Sequence, residues 1–179
     1  GTGKRMAARS SAPVAGATTV TDARRTARFH LDYWFQDLYR PLDEGFDHWF
    51  ATALRHTVAT NLALATDLVV SSKPADLAAI LFGYSSADAV TPDHCTRIIV
   101  NGTLAGNFFY DGQITSTASC SVAGSVLLAN NSVSFQQILQ SGVSVDQAFL
   151  QEFSITYSRT LRAAGGALLF SGQPGTNNY

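Results

Sequence analysis

Charge is scarce in this chain. Lys, Arg, Asp and Glu make up 14% of its 179 residues, against about a quarter in ordinary globular domains. A surface this poor in charge is wetted by Ser, Thr, Asn and Gln, or a partner covers part of it. Long apolar runs are also missing. The longest tempting stretch, Leu62 to Val70, is interrupted by Asp67 and falls well short of the ~18 residues that span a bilayer. No membrane span is therefore expected. The start carries no signal-peptide pattern, and its Gly1-Thr2-Gly3 without Met reads as a trimmed N-terminus. Only Cys95 and Cys120 supply thiols. They could form one disulfide, but two cysteines do not make a disulfide framework, and the alternative reading is two buried thiols.

The motifs of common chemistry are absent as well. There is no Gly-rich phosphate loop, no Cys-x-x-Cys, no His-Glu-x-x-His and no nucleophile elbow. The four histidines are His30, His48, His56 and His94. His48 and His56 share a helix face only two turns apart, about 12 Å along the axis, too far for one ion. His94-Cys95 has no further ligands at zinc-site spacing. Asp43, Glu44, Asp47 and His48 would form an acid/base group if they lined a pocket. The same residues serve as caps and dipole partners at a helix start. No catalytic residue, metal or cofactor is expected.

What is present suffices for a core. Hydrophobic residues make up 46% of the chain, which excludes general disorder, and the length fits one domain. Charge is distributed unevenly. Residues 1–28 hold Lys4, Arg5, Arg9, Arg24, Arg25 and Arg28 against Asp22 alone, a net of +5. Residues 29–179 hold six basic and twelve acidic side chains, a net of −6. The first segment also carries Ser10, Ser11, Pro13, Gly16, Thr18 and Thr19, with little to build a core. It reads as a basic extended arm, with residues 29–179 as the domain. The six basic residues are the candidate contacts, with another protein subunit or a polyanion such as nucleic acid as partner. Their thin spacing favours protein.

Periodicity predicts an α+β domain. Leu31, Trp34, Phe35 and Leu38 give a helix over 26–39, stopped by Pro41. Phe46, Trp49, Phe50, Ala53, Leu54 and Leu62 continue the stripe in a helix over 46–70. Pro74 and Gly83 bracket a third over 75–82. From Thr96 the pattern turns to β. Strands are expected over 96–100, 103–110, 113–129, 132–139, 148–157 and 166–171, with tight turns at Asn101-Gly102 and Asp111-Gly112. The helices should pack on one face of a curved antiparallel sheet of five to six strands. Trp34, Phe50, Leu54, Phe149, Phe153 and Ile155 are the expected core.

Asp76-Leu-Ala-Ala-Ile-Leu-Phe82, Ser86-Ala-Asp-Ala-Val90 and Gly102-Thr-Leu-Ala-Gly106 resemble the helix, loop and first hairpin of the nuclear transport factor and ketosteroid-isomerase-like cone fold. Phe149-Leu-Gln-Glu-Phe-Ser-Ile-Thr-Tyr157 resembles one of its long late strands. The resemblance covers about a third of the chain and implies a helix-lined cone. The family holds enzymes, binding modules and assembly parts, and none of its catalytic residues falls on this sequence. The functional expectation is a non-catalytic assembly subunit, viral coat-like or accessory to a large complex. The alternative is a cone-fold pocket protein or enzyme of isomerase or dehydratase type.

Overall fold

The computed structural model describes residues 18–35, 49–162 and 177–178. In chain order the strands are β1 Thr18–Thr19, β2 Asp22–His30, β3 Tyr33–Trp34, β4 Trp49–Phe50, β5 Thr52–Arg55, β6 Thr60–Ala65 and β7 Ala75–Gly83. They continue with β8 His94–Val100, β9 Thr103–Tyr110, β10 Thr115–Val122, β11 Asn130–Gln137, β12 Gln147–Thr160 and β13 Asn177–Asn178. The only helical element among the described residues is a single 3-10 turn, Gly124–Val126. Among those residues, no helix is long and apolar enough to cross a membrane.

The three N-terminal helices are therefore a correction. The helix expected over 26–39 begins as β2 and continues in β3. The one over 46–70 is β4, β5 and β6, and the one over 75–82 is β7. In β7, Ala75, Leu77, Ala79 and Leu81 are all buried, a strict period of two. Its Ala and Leu content favours helix, but pairing with β10 on one side and β12 on the other decides the state. The resemblance to the nuclear transport factor and ketosteroid-isomerase-like cone rested on reading Asp76–Phe82 as its helix. As a central strand, that segment removes the resemblance.

Two antiparallel sheets face each other. One has the order β10-β7-β12-β2, with β5 also on β12; the other has the order β6-β11-β8-β9. Leu77, Leu81, Phe153 and Ile155 of the first sheet pack against Ile98, Val133 and Phe135 of the second in one buried cluster. The rings of Phe135 and Phe153 stand 5.2 Å apart across the sandwich. The outer faces are hydroxyl-rich. Thr117, Ser119, Ser154 and Thr156 face away from the core, which is how so little charge can wet the domain. Asn101-Gly102 makes the β8–β9 hairpin as expected, both residues at positive φ (49° and 81°), the signature of a type I′ turn.

One irregularity organises the first sheet. Gln147–Leu150 of β12 pair with β5, whereas Glu152–Thr160 pair with β2 on the same side. Between them the register on β7 shifts, so that Leu150 meets Leu81 and Glu152 meets Ile80. Gln151 is the extra residue of a β-bulge. It lets Leu150 and Phe153 both point inward, and it puts Phe149 on the opposite side, only half buried. Of the expected core, Phe50, Leu54, Phe153 and Ile155 are buried, while Trp34 is 47% exposed. Both cysteines are free, Cys95 buried and Cys120 half-buried.

Candidate binding surfaces

From Asp22 onward, the segment read as a basic arm is strand β2, an edge of the first sheet. Arg24 pairs with Asp76 of β7 and donates to the Pro74 carbonyl at 3.3 Å. Arg28 pairs with Glu152 of β12. Lys73 reaches back to both oxygens of Asp22, at 2.6 and 2.8 Å, and this bond holds the Asp22 carboxyl below its ordinary range. Arg24 and Arg28 thus face acidic partners of their own domain. Lys4, Arg5 and Arg9 lie outside the described residues, as do Asp43, Glu44, Asp47, His48 and the strand expected over 166–171.

Arg25 sits differently. Strand alternation turns it with Ala27 and Phe29 toward the second sheet. There an open cleft of about 460 Å³ separates β2 from β6, and Arg25 and Asp67 stand at one end of it. Asp67 takes two bonds on one oxygen from Arg159, at 2.9 and 2.8 Å, and a third from the Tyr157 hydroxyl at 3.0 Å. The Arg159 bonds, ahead of the others, keep its carboxyl below the ordinary range. Arg25 lies 3.7 Å from this already occupied carboxylate.

A buried polar centre lies where β8 begins. His94 donates from Nδ1 to Asp146 Oδ1, 2.6 Å away, and from Nε2 to the Ser85 carbonyl, 3.0 Å away. Its ring stacks on Tyr110 at 4.8 Å and 16°. The Tyr110 hydroxyl meets Thr96 at 3.1 Å and Gln137 at 3.0 Å. Asp93 accepts from the Ala87 and Gly112 amides at 2.7 and 2.8 Å. Burial works against charge on His94. The Asp146 bond and the negative charges of Asp146 and Asp93 outweigh it and raise the imidazole above its ordinary value. A carboxylate–imidazole pair resembles part of a catalytic triad, but here both ring nitrogens are committed and the imidazole is shut away from solvent. Ser85 Oγ takes the Gln147 amide instead, at 3.0 Å. The arrangement pins loops to the sandwich and leaves no nitrogen to activate a substrate. Gly83 is part of this fit, since a Cβ there would stand 2.2 Å from the Gly112 carbonyl and 2.7 Å from His94 Nε2.

At the same end of the first sheet, β3 and β4 form a two-residue ladder that pairs Tyr33 with Phe50 and Trp34 with Trp49. The two indoles meet edge to face at 5.2 Å and are 47% and 49% exposed. A second group of rings gathers around Phe149. Phe149 stacks on Phe50 at 4.8 Å and touches Phe35 at 4.8 Å and Tyr84 at 5.0 Å. A pocket of about 150 Å³ opens among Phe35, Leu54, Tyr84 and Phe149, with Arg55 and Gln147 at its polar side. The aromatic richness was legible in the sequence. Its position outside the core was not, because helical spacing placed Trp34 on a buried stripe.

No family model and no curated protein matches the chain. Among solved structures, the dimeric latent PorU of Porphyromonas gingivalis superposes with a TM-score of 0.64 at 11% identity, over 86% of this chain. The chain spans 14% of PorU's length, so the likeness is to one portion of it and concerns the fold alone. Two carbohydrate-binding modules overlap more loosely. One is the CBM36-1 domain of a multidomain xylanase from the hindgut metagenome of Trinervitermes trinervoides, with a TM-score of 0.43, 11% identity and 74% and 95% of the two chains covered. The other is a CBM36 module in complex with calcium and xylotriose, with a TM-score of 0.44, 10% identity and 73% and 98% covered. The two-sheet architecture, shared with a portion of PorU, replaces the cone fold. Nothing in these matches supports the viral coat-like expectation, which is withdrawn with it.

Proposed function

We propose that this domain is a non-catalytic recognition module that docks another protein subunit on its aromatic end. The Trp34–Trp49 pair carries the reading: two large, half-exposed rings stand on the β3–β4 ladder, and the residue that follows Trp34, Phe35, lines an aromatic-walled pocket. Aromatic anchors of this kind are enriched at interface centres and dominate their energetics. Pocket size separates a side chain from a cofactor. A cavity on the order of 150 Å³ admits a benzene-sized group, whereas small-molecule sites run to about 300–1,000 Å³. One apolar side chain of a partner fits the pocket, with Gln147 and Arg55 positioned to meet its backbone. Lys4, Arg5 and Arg9 are proposed as additional assembly contacts, since like charges at that spacing speed encounter with an acidic partner.

Titration of the isotope-labelled full chain tests this, with N-acetyl-phenylalaninamide, N-acetyl-leucinamide and xylotriose as probes. The two amides should shift the signals of Trp49 and Tyr84 saturably, and Trp49→Ala should abolish the shifts while the rest of the spectrum is retained. Shifts produced by xylotriose alone would replace the protein partner with a carbohydrate. Saturable shifts with none of the three would overturn the reading.

A further inference from the structure

The edges of the two sheets are not alike. An edge strand exposes unpaired N–H and C=O groups, and proteins protect it with charge, proline or a bulge. Strand β2 carries Arg24, Arg25 and Arg28. Strand β6 has Arg25 and Arg28 across the cleft. Strand β9 is bulged at Ala105, since Ile98 meets Gly106 and Ile99 meets Leu104. Strand β10 has none of these devices. It reads Thr115-Ser-Thr-Ala-Ser-Cys-Ser-Val122, without charge or proline. Its register on β7 runs unbroken from Phe82↔Thr115 to Ala75↔Val122. Among the described residues it pairs with β7 alone.

One hydrogen bond fixes which backbone groups are free. The Gly83 amide donates to the Ile114 carbonyl at 3.0 Å, so Ile114 turns that carbonyl toward β7. In an antiparallel ladder every second residue does the same. Ser116, Ala118 and Cys120 are therefore bonded to β7, and the N–H and C=O groups of Thr115, Thr117, Ser119 and Ser121 point to the open edge. The same four residues hold their side chains on the outer face, all exposed.

We infer that β10 pairs antiparallel with β10 of a second copy of this chain, about a two-fold axis at Ala118. A strand with no charge meets its own image without the repulsion that like charges would bring. The free groups set the register, because odd-numbered residues must meet odd-numbered ones. Centring on Ala118 also matches the chemistry of each pair: Thr115 with Ser121, Thr117 with Ser119, Ser116 with Cys120, and the exposed Ile114 with Val122. Centring on Ser119 would set Ser116 against Val122 instead. The Thr–Ser pairs add hydroxyl hydrogen bonds on the outer face. One strand pair buries less than the ~1,200 Å² of stable interfaces, so the dimer is weak and concentration-dependent. This edge lies across the sheet from β5 and β2, so the inference stands apart from the aromatic end and its partner.

Sedimentation of the full chain should show a dimer fraction that rises with concentration. As it rises, the amides of Thr115, Thr117, Ser119 and Ser121 should gain exchange protection, whereas those of Ser116, Ala118 and Cys120 should be protected at every concentration. Ser116→Cys sets a thiol opposite Cys120 of the second copy, at the ~4.5 Å Cα spacing of a pair without hydrogen bonds, which is within disulfide reach. Mild oxidation should link this variant into a dimer. It should leave the wild type unlinked, since positions four apart along a strand stand about 13 Å from each other, and the same spacing keeps the introduced thiol from Cys120 of its own chain. Ser119→Lys, on the exposed outer face, should abolish both association and cross-link. A chain that stays monomeric at all concentrations would overturn the inference. So would protection gained only outside residues 114–122, a wild type that cross-links through Cys120, or a dimer that Ser119→Lys leaves intact.

Discussion

Replacing Asp146 tests the buried polar centre most directly. Asp146 is fully buried and holds His94 Nδ1 at 2.6 Å, and its second oxygen takes the Cys95 amide at 3.3 Å. Removing it leaves an imidazole, an amide and the Asp93 carboxylate in a space water does not reach. Breaking a buried pair in this way costs about 3–5 kcal/mol, a large part of the ~5–15 kcal/mol typical of a whole domain. Asp146→Ala should therefore lower Tm by roughly 6–20 °C at this chain length. Asp146→Asn, which still accepts from Nδ1–H, should lose less.

The pH dependence of the same variants gives the sign. His94 is raised above its ordinary 6.5, so the folded state binds that proton more tightly than the unfolded chain. The resulting stabilisation is full below pH 6.5 and fades as pH rises through the folded value. Asp93, Asp22 and Asp67 are lowered from 3.8, so their contribution is present above that pH and fades as pH falls further. Stability should therefore peak between about pH 4 and 6.5, ordinary values for carboxylates and imidazole. Urea titrations of wild type and both variants at several pH values measure this. In Asp146→Ala the decline above pH 6.5 should flatten, because His94 has lost the partner that raised it. A loss below about 1 kcal/mol, the size of an exposed ion pair, would refute the reasoning. So would an alkaline decline unchanged in the variant.

Three other outcomes follow from the packing. Phe153→Ala, at a fully buried ring stacked on Phe29 and tilted against Phe135, should cost about 3–5 kcal/mol in urea unfolding. Gly83→Ala puts a methyl group against the Gly112 carbonyl and His94; it should cost about 1–3 kcal/mol or more and displace the His94 ring resonances. Arg24→Ala removes a pair whose side chains are 42% and 66% exposed, and the unfolding free energy should change by less than about 1 kcal/mol.

The second half of the chain was legible because its signals are short-range. Asn101-Gly102 has the φ preferences of a type I′ turn, and the structure forms that turn. Ser132–Leu139 and Ala148–Tyr157 alternate over enough residues to show a half-buried strand. The first half misled because its strands are rich in residues that also suit helices. Leu54, Val58 and Leu62 keep a helical spacing across β5 and β6, which a turn separates in the structure. Ala75–Gly83 holds three alanines and two leucines, and its strand state comes from neighbours more than thirty residues away, Thr115–Val122 and Ala148–Thr156. The charge asymmetry of residues 1–28 was real as composition. Its meaning changed once Asp76 and Glu152 were brought beside Arg24 and Arg28. Neither the Arg25 end of the cleft nor the Trp34–Trp49 pair could be read from spacing, since each joins residues that only the sheet pairing brings together.

The extra residue in β12 bears on how the chain tolerates changes of length. In a strand that pairs on both sides, adding or removing one residue turns every later side chain to the opposite face. Gln151 is the exception. Leu150 and Glu152 face consecutive residues of β7, Leu81 and Ile80. Deleting Gln151 would close the strand into regular alternation and leave Phe153, Ile155 and Tyr157 facing the core. Deleting Ser154 instead would turn Ile155 and Tyr157 outward and bring their polar neighbours in. Length variation in this strand is thus confined to one position, where β5 gives way to β2 as the neighbouring strand.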